Sequence, residues 1–104
     1  MSELYSKKPI IKAKEKIKKF IPQFIENTKA DIDKLKTALE VKDYESVHAT
    51  AHSMKGYGKP FGFTEISETA AKIQILADQK QYNETKELVD YISWYMDNVT
   101  IEYI

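Results

Sequence analysis

Two prolines decide where this chain can be helical. Apolar residues recur at helical spacing along most of its length, and Pro22 and Pro60 stand inside that pattern. A proline ring clashes with the preceding turn, so each marks a helix boundary rather than an interior position. Pro22 therefore opens a helix after a bend near Ile21. Phe24, Thr28, Ile32, Leu35 and Leu39 then run down one face to Val41, with Asp31, Lys34, Lys36 and Glu40 largely outside it. Asp43 is suited to cap the next helix. That helix must stop near Lys59, because the residue before a proline is driven away from helical geometry and Gly62 supplies a turn. Thr64 reads as the cap of a further helix with Ile66, Ala70, Ile73 and Ala77 inside. A polar break at 79–81 leads to the last one, striped by Leu88, Val89, Ile92, Tyr95, Met96 and Val99. The triplets Lys42-Asp43-Tyr44 and Lys80-Gln81-Tyr82 read as two similar helix starts.

Upstream, Pro9 is placed to open a short first helix carrying Ile10, Ile11, Ile17, Phe20 and Ile21 among five lysines. Such a basic amphipathic helix can lie on an anionic surface, but its plainer use is an apolar stripe docked on a bundle. No strand-like alternation or hairpin signal competes with these helices. The expected fold is all-α: an up-and-down antiparallel four-helix bundle with an additional short N-terminal helix. It occupies 9–104, behind a flexible N-terminus at 1–8.

Charge and missing residue types narrow the function. Sixteen basic and sixteen acidic residues cancel, which argues against general nucleic-acid binding, since that needs a cationic excess. Every cation is lysine, so phosphate would be met by an ammonium point charge and not by a guanidinium fork. With no cysteine, disulfides, thiolate nucleophiles and cysteine-held zinc are excluded. No apolar run is long enough to cross a bilayer and no secretory leader is evident, so a cytoplasmic protein without membrane insertion is expected.

The stretch 45–62, ESVHATAHSMKGYGKPFG, holds both histidines and all three glycines. At roughly 100° per residue, Val47, Thr50, Ala51, Met54, Tyr57, Gly58 and Phe61 gather on one side of a helix. Glu45, His48, His52, Lys55, Gly56 and Lys59 gather on the other. An imidazole, an ammonium one turn on and a glycine without a side chain thus share the outward face. A neutral imidazole has a ring nitrogen able to attack phosphorus, and a neighbouring ammonium offsets part of the charge gained. Nothing in the chain resembles a phosphate-cradling loop or a carboxylate set for Mg²⁺, so no nucleotide chemistry and no cofactor of its own are expected.

The run His52-Ser53-Met54-Lys55-Gly56, with Gly62 later, resembles the histidine phosphotransfer (HPt) domains of two-component phosphorelays, whose pattern is H-x-[apolar]-K-G with a following glycine. Ile21-Pro22-Gln23-Phe24-Ile25-Glu26-Asn27 resembles the family's entry into its long second helix, and the likeness runs from about Pro9 to Ile104. It implies that His52 accepts a phosphoryl group, that Lys55 faces it, that Gly56 keeps the face open and that Gln74 orients the ring. It also implies a partner surface that includes His48, Lys59, Ile10 and Ile11. Response-regulator receiver domains, which supply the Mg²⁺, and a hybrid sensor histidine kinase are the implied partners of a monomer. The sequence departs from the pattern at Tyr57, where a small residue is usual, and at Lys59-Pro60. Two rival readings stand beside this one. One is a metal-binding four-helix bundle using His48 and His52: Glu45-x-x-His48 has the form used by di-iron bundles, although no second pair accompanies it. A docking module without phosphotransfer would also keep such a face.

Overall fold

A computed structural model describes Tyr5 and residues 7–104. Strand β1 (Ile10–Ala13) is followed by a 3-10 segment, Glu15–Phe20, and by helices α1 (Ile21–Glu40) and α2 (Tyr44–Gly58). A 3-10 turn, Lys59–Phe61, leads to α3 (Thr64–Asp78), α4 (Tyr82–Asn98) and strand β2 (Thr100–Tyr103). The four helices form an antiparallel bundle, the architecture that helical periodicity and short connections require. Pro22 lies in the first turn of α1, where its missing N–H leaves no bond unmade.

Each helix buries one stripe. Phe24, Ile32, Leu35 and Leu39 of α1 meet Val47, Ala51 and Met54 of α2, Ile66, Ala70, Ile73 and Ala77 of α3, and Val89, Ile92 and Met96 of α4. Thr28 is buried among them, and its hydroxyl donates to the Phe24 carbonyl at 2.8 Å, so the polar atom is satisfied within its own helix. Asp43 caps α2, accepting the Ser46 amide at 3.1 Å and the Ser46 hydroxyl at 2.6 Å. The hydroxyl first and the amide second hold its carboxyl below the usual range.

The connections before α2 and α4 are built alike. Lys42 and Lys80 both take the left-handed conformation, φ 56° and 55°. Each amide returns to a carbonyl three residues back, and the next amide reaches five residues back. This is the Schellman closure of a helix, made here with lysine where glycine is commoner. The resemblance between the two triplets therefore reflects a shared way of ending one helix and starting the next.

Two expectations are corrected. The segment after Pro9 is not a helix: Ile10 to Ala13 pair in parallel with Thr100 to Tyr103, and Glu15–Phe20 winds as 3-10 and not as α-helix. Pairing continues through the Pro9 carbonyl to Thr100 N–H, and through Ile104 N–H to the Ala13 carbonyl. Ile11 and Ala13 turn inward while Ile10 and Lys12 turn out, a two-residue period hidden by the apolar Ile10. Thr64, too, is not a cap. Phe63 holds that place with no side-chain bond, and its fully buried ring anchors the loop instead. Of the terminus expected to be flexible, residues 1–4 and 6 lie outside the described residues. Tyr5 sits edge-on to Tyr91 and Trp94, with ring centres 5.8 and 5.0 Å away.

Candidate functional site

The apolar side of α2 fixes its rotation. Val47, Ala51 and Met54 have no exposed surface, and Gly58 is buried with them. A Cβ on Gly58 would come within 2.7 Å of Ser67 Oγ and 2.9 Å of the Phe63 carbonyl oxygen. Only glycine lets α2 and α3 close to this distance, and the approach is fastened by the Lys59 amide donating to Ser67 Oγ at 2.7 Å. With that side committed to the core, His52, Lys55 and Gly56 are exposed on the opposite side.

Because α3 runs antiparallel to α2, its residues descend as those of α2 ascend. Gln74 therefore lies between the two histidines and Asp78 lies beside the earlier one. Gln74 Nε2 is 3.1 Å from His48 Nε2 and 3.2 Å from His52 Nδ1. His48 Nδ1 is 2.8 Å from Asp78 Oδ1. The two imidazole planes are within 4° of parallel, with centres 6.4 Å apart. His52 Nε2 takes part in none of these bonds. Gln74 meets the ring at Nδ1, and His52 as a whole is exposed.

Gly56 has open space around it: a Cβ there would meet nothing within 4 Å. The chain itself has no steric need for glycine at this position. Lys55 takes part in none of the ion pairs found among the described residues. Lys59 is exposed in the 3-10 turn beyond α2. Ile10 and Ile11 lie on β1, beside the Gly62 loop, where the Lys12 carbonyl oxygen is 3.5 Å from a Cβ placed on Gly62. They are thus not brought to His52. Ile10 is 58 % exposed, whereas Ile11 is 9 % exposed and belongs to the core. Sequence reasoning passed over Asp78, whose contact with His48 depends on the register of two helices.

His48 is committed to Asp78 and Gln74, and not to Glu45. No group of three or more His, Asp or Glu side chains among the described residues is arranged to hold a metal ion. A groove of about 520 Å³ lies between Phe20, Phe24, Asp31, Tyr57 and Phe61. Tyr57 is half-buried there and donates to Asp31 Oδ2 at 2.7 Å. Burial first, then that hydrogen bond, pushes its phenol well above the ordinary range. With His52, Lys55 and Gly56 all exposed, the histidine face is suited to contact with a macromolecule's surface.

The family model for the Hpt domain matches residues 19–100. This chain belongs to the Hpt domain family. No curated protein and no solved structure gives a match. Membership makes the chain a phosphotransfer module of two-component signalling, working with receiver domains and kinases. The Hpt match covers all four helices but begins after β1 and ends as β2 starts. Apart from Thr100, the small sheet lies outside the matched residues. Among the described residues no helix is long and apolar enough to cross a membrane.

Proposed function

We propose that His52 accepts a phosphoryl group from a phospho-aspartyl receiver or a histidine kinase and passes it to a response-regulator receiver, in the cytoplasm and as a monomer. The observation that carries this reading is an exposed imidazole held at Nδ1 by Gln74 at 3.2 Å, one turn before a glycine with open space around it.

In the transfer, the Nε2 lone pair attacks phosphorus and an N–P bond forms. The bond from phosphorus to the aspartyl oxygen breaks, leaving its electron pair on the carboxylate. For this the ring holds its proton on Nδ1, which requires Gln74 to present its oxygen there; the ring then carries the positive charge that the new bond creates, and the return step reverses each move. Lys55, one turn on, offsets the charge of the adduct. Its exposure keeps that stabilisation modest, as suits a carrier that must release its load. Gly56 admits the partner's surface. His48 and Lys59 flank the approach, and Ile10 is exposed on β1 beside the Gly62 loop. The receiver brings the divalent cation that its own phosphoryl chemistry uses. The phosphoryl group comes from a partner and not from ATP.

The test is to mix the protein with phosphorylated receiver domains from its own genome and follow transfer. Rapid labelling by a small subset is expected. No labelling by any phosphorylated receiver or kinase would overturn the reading, and so would labelling by Mg·ATP alone.

A further inference from the structure

The second histidine has a use beyond flanking the site. His48 Nδ1 lies 2.8 Å from a carboxylate oxygen of Asp78, so Nδ1 must carry a proton for that contact to be favourable. What remains variable is His48 Nε2, which holds a lone pair when the ring is neutral and a proton when it is charged. Gln74 faces this nitrogen and His52 Nδ1 with a single amide atom, at 3.1 and 3.2 Å. A carboxamide presents nitrogen or oxygen at that place without changing shape, and the choice follows from where the protons are.

We propose that His48 is a positioning residue whose protonation state, read through Gln74, selects which nitrogen of His52 carries the proton. When His48 is neutral, its Nε2 lone pair requires an N–H. Gln74 Nε2 then faces both rings, the arrangement in the structure, and gives its second hydrogen to His52 Nδ1. The proton of neutral His52 must then sit on Nε2, the nitrogen that would attack. When His48 is charged, its Nε2–H requires an oxygen. Gln74 turns, Oε1 accepts from both rings, and neutral His52 is held with its proton on Nδ1 and a free lone pair on Nε2. Asp78, 2.8 Å from Nδ1, holds the His48 ring with its other nitrogen turned to Gln74, so that the variable proton is the one on Nε2.

The groups that face His48 are few. Asp78 is the charged residue that α3 contributes, while Glu45 and His52 lie about one turn to either side on α2 and Lys55 two turns on. Helix α1 packs on the opposite side of α2, where its Asp31 is taken by Tyr57. The proposal deepens the phosphotransfer reading and rests on it for its consequence, but the tautomer can be measured without any partner.

The experiment is long-range ¹H–¹⁵N NMR on the full chain labelled at histidine, in wild type, His48→Gln, Asp78→Asn and Gln74→Glu. At about pH 8, where a free imidazole is neutral, wild-type His52 should show a pyridine-type Nδ1 and a pyrrole-type Nε2. Gln74→Glu, whose carboxylate only accepts, should reverse the two. As the pH falls and His48 becomes charged, the neutral fraction of wild-type His52 should move toward the Gln74→Glu tautomer. Asp78→Asn, which loosens the hold on His48 Nδ1, should weaken that move, and His48→Gln should abolish it. A His52 tautomer that is the same in wild type and Gln74→Glu, or that follows pH identically in His48→Gln, would overturn the proposal. Failure of every phosphorylated receiver to label wild type, with these spectra as expected, would instead overturn the phosphotransfer reading.

Discussion

Gly56 and Gly58 lie two residues apart on one helix and meet opposite surroundings. Around Gly58 the α3 backbone and Ser67 leave no room for a Cβ, whereas around Gly56 there is nothing within 4 Å. The same split runs along the whole of α2. Val47, Ala51 and Met54 are wholly buried, while His52, Lys55 and Gly56 are exposed. One face is fixed by this chain's own packing. The residue choices on the other face are explained by nothing inside the molecule, and so point to something that approaches from outside.

Substitutions on either face test this division. The largest effect should come from Met54→Ala, which empties a fully buried site at the centre of the bundle. A loss of about 2–5 kcal/mol is expected by urea denaturation. A loss below about 1 kcal/mol would mean that the buried face is looser than described.

Alkali should attack the same side of the contrast. Burial pushes the Tyr95 phenol up to about 12, and burial likewise raises Tyr57 and Tyr91. Above about pH 10 these phenols ionise in the unfolded chain but hold their protons in the folded one. The folded state then binds more protons, so stability is complete below about pH 10 and falls as the pH rises from there toward 12. Urea midpoints between about pH 9 and 11.5 should decline, and Tyr95→Phe should flatten the decline.

The two glycines supply a comparison of sign. Gly58→Ala overpacks the α2–α3 contact, for which about 1–3 kcal/mol is expected, offset in part by a gain in helix propensity of up to about 1 kcal/mol. Gly56→Ala meets no neighbour and keeps only that gain. Its midpoint should rise slightly, while transfer from a phosphorylated receiver slows because the new methyl group stands on the open face. A stabilised Gly58→Ala, or a destabilised Gly56→Ala, would reverse the assignment of the faces.

Lys55→Ala should have the smallest effect on stability, within about 0.5 kcal/mol. It should nevertheless lower the yield of phospho-His52 or shorten its lifetime once freed of partner, and Lys55→Arg should restore part of either. If only the receiver's affinity changed, the ammonium would act in docking and not in offsetting charge.

The four helices were legible because each buries a local stripe: Pro22, the Asp43 cap and the Val47-Ala51-Met54 spacing are all signals within one element. The outward phase of His52 follows from the same spacing. The small sheet was not legible, because Ile10–Ala13 finds its partner at Thr100–Tyr103, and four residues beginning with an exposed isoleucine show no alternation. Phe63 displaced Thr64 from the cap because burying a ring fixed the loop more firmly than a hydroxyl bond would. Asp78 and the second contact of Gln74 were hidden for a further reason. Both depend on the register between α2 and α3, which is set by Gly58 against Ser67 and leaves no trace in either helix alone.

On the proposed reading, the outward face of α2 carries its chemistry at His52. The most direct measurement is acid-labile labelling by a phosphorylated receiver, compared in wild type, His52→Gln and His48→Gln. Wild type should be labelled, His48→Gln should take up label at an altered rate, and His52→Gln should take up none; label persisting in His52→Gln would contradict the account.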